Sequence, residues 1–165
     1  MKARKSASPE RRRAGRPRSE ASRVQVMEAA YKLLRKRSPQ AISTQEIAAG
    51  AGVSTATLYR WWDSKEAILL DAVIEHVQRA LPYDGKGSAV ARLRDHALHG
   101  AAFLTSADGH VVMRLLASLF DSASLRRRFL ESYYLPRRAL ELDLVRRAIR
   151  EAELPEDTDL SLIHI

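Results

Sequence analysis

Cysteine is absent from the chain, which excludes disulfides, thiolate zinc sites and cysteine nucleophiles and fits a cytoplasmic protein. No run of eighteen uninterrupted apolar residues occurs, so no membrane-spanning helix is expected. The N-terminus is basic but lacks the apolar stretch of a secretory signal. No segment alternates apolar and polar residues with period two, so no strand is expected, and no internal repeat is found. A phosphate-binding glycine loop, a metal-ligand cluster and a plausible pair of catalytic carboxylates are all lacking, which argues against an enzyme and for no cofactor.

What is present is helical periodicity and an uneven charge. The 165 residues suit one compact domain or two small ones sharing a core, and 45% are apolar, enough to bury one. Residues 1–66 hold 15 Lys/Arg against 6 Asp/Glu, and residues 67–165 hold 13 against 14. The whole excess of +8 therefore sits in the first part of the chain. Concentrated positive charge attracts a polyanion, for which DNA is the default, although a basic segment kept for solubility would carry the same charge. Residues 1–18 are rich in Arg, Ser, Ala and Pro and have little to bury, so a disordered basic arm is expected there.

The spacing predicts an all-α chain. Ser19 is a candidate N-cap for a first helix with Val24, Met27, Ala30, Tyr31 and Leu34 on one face and Arg23, Gln25, Glu28, Lys32 and Arg35 on the other. Pro39 ends it. Ser43 with Glu46 forms a capping box for a short second helix, which Gly52 breaks. Ser54 caps a third helix to about Trp61, and Asp63 with Glu66 repeats the box for a fourth. Pro82 and Gly85–Gly87 mark the boundary between a three-helix helix-turn-helix module over 19–80 and a helical bundle over 88–159. In that bundle, helices are expected over about 88–104, 108–120 and 124–153. The last is expected to kink near Pro136, with Leu140, Leu144, Val145, Ala148 and Ile149 on its apolar stripe.

Two short helices joined by a tight turn behind a basic arm suggest a DNA-reading motif. Ala48 lies at the helix crossing, Gly52 in the turn, and Ile47, Val53 and Leu58 between the helices. A core hairpin would show the same pattern, but Thr55, Thr57, Arg60 and Trp61 have no evident core role. The stretch from Ile42-Ser43-Thr44-Gln45-Glu46-Ile47-Ala48 through Ala51-Gly52-Val53-Ser54 and Leu58-Tyr59-Arg60-Trp61-Trp62 to Lys65-Glu66-Ala67-Ile68 resembles the DNA-binding module of TetR-family regulators. The match extends over nearly all of residues 20–78.

That resemblance implies roles. Ser43 would bring a helix N-terminus to a phosphate; Thr55, Ala56 and Thr57 would face base edges; Tyr59 and Lys65 would hold phosphates; Arg60 would reach a guanine or a phosphate. Trp61 replaces a histidine common in the family, with its indole N–H as the available donor. Trp62 replaces a phenylalanine and reads as core. Gly15-Arg16-Pro17-Arg18 resembles the centre of an AT-hook, which would lay Arg16 and Arg18 in a minor groove, with loose phosphate attraction as the alternative.

For residues 88–159 the resemblance implies a ligand-binding and dimerisation domain, with a small-molecule effector whose identity the sequence does not reveal. A homodimer reading a near-palindromic duplex operator follows. Phe103, Met113, Leu116, Phe120, Tyr133 and Tyr134 are candidate pocket residues, each equally readable as ordinary core. His96 and His99, at i and i+3, fall short of a metal site, and Arg126-Arg127-Arg128 reads as an exposed face. Residues 160–165, Leu160-Ser161-Leu162-Ile163-His164-Ile165, read like a translated transposon end of the kind used in sequencing libraries. A non-native tail on a shortened chain is therefore expected, with impaired dimerisation. The leading expectation is a ligand-responsive regulator, a repressor, in the cytoplasm. The alternative is a nonspecific architectural DNA-binding protein driven by the arm.

Overall fold

A computed structural model describes residues 16–82, 86–119 and 121–160. Eight α-helices follow one another among the described residues: α1 (Arg16–Leu34), α2 (Thr44–Ala51), α3 (Thr55–Tyr59), α4 (Lys65–Ala80), α5 (Ala89–Leu104), α6 (Ala107–Leu119), α7 (Ala123–Phe129) and α8 (Leu135–Arg150). A 3₁₀ turn (Pro39–Ala41) precedes α2 and a π-turn (Leu130–Tyr134) joins α7 to α8. The all-helical expectation holds.

Helix α1 is already helical at Arg16, three residues before the expected Ser19 cap. The expected arm over 1–18 thus overlaps α1 at its end; residues 1–15 lie outside the described residues, as do the side chains of Arg16 and Arg18. The buried stripe of α1 is Val26, Met27, Ala30, Tyr31 and Leu34, with Val24 at its edge.

Backbone chemistry sets the turns. Ser43 accepts from the Glu46 N–H at 3.2 Å while the Glu46 carboxylate accepts from the Ser43 N–H at 2.9 Å, the expected box. Gly52 takes φ +66°; its N–H reaches the Ala49 carbonyl and the Val53 N–H reaches the Ala48 carbonyl, which closes α2 as a Schellman cap. Ser64, rather than Asp63, caps α4 by accepting from the Ala67 N–H at 3.1 Å. At Gly109 an added Cβ would lie 2.2 Å from the Phe103 carbonyl oxygen, so only glycine lets α6 start this close to the end of α5.

One core runs through both halves. Ile47, Ala48, Leu58 and Trp62 pack with the α1 stripe on one side of α4, and Val111, Val112, Leu115 and Leu119 of α6 pack on the same cluster. Helix α4 is thus the shared spine, buried from Ala67 to Ile74 and again at Val77. Helices α5 and α8 close a smaller cluster around Ala89, Leu144 and Ala148. Leu140 departs from its expected stripe and is 51% exposed, whereas Leu144 and Val145 are buried. The expected break at Pro136 takes the form of the π-turn. Proline has no N–H for the Ser132 carbonyl, and the Leu135 N–H reaches back five residues to Leu130.

Candidate nucleic-acid interface

Helix α3 is anchored from below and open from above. Leu58 and Trp62 are fully buried beneath it, while Ala56, Tyr59, Arg60 and Trp61 are exposed, Tyr59 to 56%. Thr55 and Thr57 are half-buried at the rim. Ser54 caps the helix by accepting from the Thr57 N–H at 3.2 Å, and the two hydroxyls of Ser54 and Thr57 lie 2.9 Å apart. The helix ends at Tyr59, and its last turn is completed by Trp61 and Trp62 N–H bonds to the Leu58 carbonyl at 3.0 Å. The structure therefore brings Thr55, Ala56, Thr57, Tyr59, Arg60 and Trp61 to one outward surface.

Ser43 and Lys65 are held at its margins. The Ser43 hydroxyl is engaged by Glu46 at 2.8 Å, and Glu46 is in turn paired with Arg37. The Ser43 backbone and side-chain bonds and Arg37 lower the Glu46 pKa to about 2, so the α2 N-terminus carries a fixed anion compensated by a cation. Lys65 donates to the Pro39 carbonyl at 3.1 Å and lies 3.7 Å from Glu66. It fastens α4 to the 3₁₀ turn and must swing outward to meet a phosphate.

Under this surface lies a carboxylate that the sequence did not single out. Asp71 is the only buried charged residue among the described residues. It accepts the Trp62 indole N–H at 2.8 Å and two Arg128 N–H groups at 2.8 and 2.6 Å. Arg128, expected on an exposed face, is instead half-buried and clamps Asp71, and the Asp71 bonds raise its pKa above the ordinary arginine value. Arg23, expected on the solvent face of α1, instead lies with its guanidinium 6.0 Å from the Trp62 ring centre and 3.9 Å from Asp71.

The second half holds an open cavity of about 710 Å³ between α4, α5, α6, the end of α7, the π-turn and α8. Of the candidate pocket residues, Phe103, Met113, Leu116 and Tyr133 lie on its wall, with Val73, Ile74 and Val77 of α4. Tyr134 lines a neighbouring cavity instead, and Phe120 lies outside the described residues. The wall turns polar at His96, Arg137 and Glu141. Arg137 donates to the Leu81 carbonyl at 3.1 Å and to His96 Nε2 at 2.6 Å, with Tyr133 beneath its guanidinium. Burial, then Arg137, then His99 pull the His96 pKa down to about 4, so the imidazole is neutral at physiological pH. His96 and His99 belong to no group of potential metal ligands among the described residues. No described helix is long and apolar enough to cross a membrane.

Comparisons with known proteins agree with this geometry. Residues 26–72 match the bacterial regulatory proteins of the tetR family, and residues 84–164 match a tetracyclin repressor-like C-terminal domain. YdeS, an uncharacterized HTH-type transcriptional regulator of Bacillus subtilis, is 33% identical over 148 residues, which is 90% of this chain and 75% of that protein. Among solved structures, the TetR family transcription regulator SCO0332 superimposes with a TM-score of 0.70 at 27% identity, covering 86% of this chain and 78% of that one. The flavonoid-responsive regulator FrrA superimposes with a TM-score of 0.57 at 28% identity, covering 86% of this chain and 74% of that one. The chain belongs to the TetR family and is a ligand-responsive, DNA-binding transcriptional regulator.

Proposed function

We propose that the protein is a cytoplasmic repressor that binds a near-palindromic operator as a homodimer and leaves it when a small apolar effector fills the α4–α8 cavity. The observation that carries this reading is the split character of α3, with its floor buried at Leu58 and Trp62 and its roof open at Ala56, Tyr59, Arg60 and Trp61. In the major groove, Thr55, Ala56 and Thr57 meet base edges, with methyl groups suited to thymine. Tyr59, Lys65 and the capped start of α2 at Ser43 meet phosphates, and Arg60 meets a guanine or a phosphate. Arg16 and Arg18 add a minor-groove or phosphate contact.

The effector reading rests on the cavity. Its volume of about 710 Å³ suits a drug-sized molecule. The apolar wall favours an apolar body, and Arg137 with neutral His96 offers one polar end. The likeness to a flavonoid-responsive regulator supports an aromatic ligand bearing hydroxyl groups.

Selection of bound sites from random duplex DNA tests the proposal. A near-palindromic consensus bound by two copies of the chain is expected. Recovery of sites with no common sequence, with affinity lost on removing residues 1–15, would instead favour a nonspecific architectural protein.

A further inference from the structure

Helix α6 and the end of α7 carry the residues that separate two cavities. The second cavity, of about 530 Å³, is lined by Leu70, Leu119, Leu125 and Tyr134 among others. Met113, Leu116 and Phe129 stand on the walls of both. Phe129 is the last residue of α7, and Arg128 precedes it.

Helix α7 has seven residues, none of them fully buried, and its apolar hold on the core is through the half-buried Leu125 and Phe129. Its firm tie to α4 is the pair of bonds from Arg128 to Asp71. The same carboxylate holds the indole of Trp62, which anchors the end of α3. A second guanidinium, Arg23, stands 3.9 Å from the Asp71 oxygen that receives the indole, and its own salt bridge to Glu20 is long, at 3.4 Å. In the structure Arg128 and Trp62 bond this anion and Arg23 stands at the edge of ion-pair range; were Arg128 to withdraw, Arg23 would be the guanidinium placed to close on it.

We propose that Asp71 is the coupling residue of this regulator, switching its arginine partner from Arg128 to Arg23 when a cavity ligand displaces Phe129. The inference rests on the regulator reading above and gives it a physical route. Ligand volume moves Phe129, Phe129 carries Arg128, and Asp71 passes the loss to Trp62 at the base of the recognition helix. Such a relay works because the carboxylate has two discrete partners, each favoured by a different position of α7. Asp71, Arg128 and Arg23 act here as positioning residues, since none of them lies on the DNA-facing surface.

The test needs no effector. Arg128→Met keeps an apolar stem and removes the pair, which imitates the ligand-loaded arrangement. On an operator selected with the parent protein, Arg128→Met is expected to bind at least fivefold more weakly, at a temperature where circular dichroism shows it folded. Arg128→Lys, which keeps the charge, should recover part of the loss. In a Trp62→Phe background the relay is cut, and adding Arg128→Met should then change affinity less than twofold. Operator affinity of Arg128→Met within twofold of the parent, or an equal loss in both backgrounds, overturns the proposal. Hydrogen exchange supplies a readout without DNA: residues 55–62 should exchange faster in Arg128→Met than in the parent. Unchanged exchange there overturns the proposal too. A parent that selects no DNA sinks the regulator reading alone, and the exchange measurement still decides the coupling.

Discussion

Trp62 donates its indole N–H to Asp71 across 2.8 Å, and this bond ties the segment after α3 to the spine helix α4. Both partners are buried, so removing the donor leaves a carboxylate oxygen short of one bond and opens a small void. Trp62→Phe is expected to cost about 2 kcal/mol, which lowers Tm by roughly 5 °C for a chain of this size. Thermal denaturation followed by circular dichroism measures it. A Tm equal to the parent's would mean that the bond contributes nothing to stability.

Two glycines should respond differently to alanine, because they are conserving different things. Gly52 sits at φ +66° with no atom within 4 Å of an added Cβ, so Gly52→Ala bears only the left-handed conformation, about 1 kcal/mol. Gly109 has an ordinary φ but an added Cβ would fall 2.2 Å from the Phe103 carbonyl oxygen, a backbone atom that cannot turn aside. Gly109→Ala must separate α5 from α6 and is expected to cost about 3 kcal/mol or more. Urea denaturation of both variants should rank Gly109→Ala as the more harmful, and the opposite order would show that the α5–α6 turn yields easily.

The reading head was legible because local rules decide it. Ser43 with Glu46, Ser54 and Gly52 each act within four residues of themselves, so their spacing reveals the helix ends directly. Periodicity likewise located Ile47, Leu58 and the α1 stripe. What was missed depends on pairs far apart in the chain. Arg128 and Asp71 are 57 positions apart, and Arg137 and Leu81 are 56. A run of three arginines on a helix looks solvated until a buried acid is known to face one of them. Arg114, 80 positions from the Leu34 carbonyl that it caps at 2.6 Å, belongs to the same class. Pro136 signalled a break but not its form, since whether a helix kinks, splits or widens into a π-turn is settled by the packing around it.

The stability of the protein should fall on mild acidification through His96. Its folded pKa is about 4, lowered first by burial and then by Arg137 and His99, against an ordinary value of 6.5. Between these values the unfolded chain binds a proton that the folded chain refuses, so stability rises with pH across this window and is lost as pH falls from about 6.5 to 4. Glutamine at this position keeps a neutral acceptor for Arg137 and cannot titrate. His96→Gln is therefore expected to flatten the pH dependence between 6.5 and 4, as read from urea midpoints at several pH values. Parallel curves for the parent and the variant would show that another group governs the window.

At the DNA surface, chemistry separates position from identity. The Tyr59 hydroxyl is exposed on the outer side of α3, and a phosphate contact carries no sequence information. Tyr59→Phe should weaken binding to all sites alike. Thr57 stands at the rim, its hydroxyl 2.9 Å from that of Ser54, so Thr57→Ala should alter preference at one base pair at a modest cost to the helix cap. Repeating site selection with each variant measures both effects. If the two variants return the parent's consensus with the parent's affinity, α3 is not the recognition helix.

The cavity can be filled from within to ask what it holds. Gly100 lies on its wall, and a Cβ built there meets nothing within 4 Å. A leucine at this position places its side chain on the helix face that borders Phe103, Met113 and Leu116, where it occupies volume that an apolar ligand would need. The probe is 8-anilinonaphthalene-1-sulfonate, whose fluorescence rises on entering apolar surroundings and whose sulfonate can meet Arg137. Gly100→Leu should bind it at least tenfold more weakly than the parent without loss of Tm, because the added methyl groups enter open space rather than packed core. Undiminished dye binding would place the dye elsewhere, the neighbouring 530 Å³ cavity being the next candidate. A fall in Tm would show that the space closes in solution. Either result would remove the support that the cavity lends to the proposed effector site.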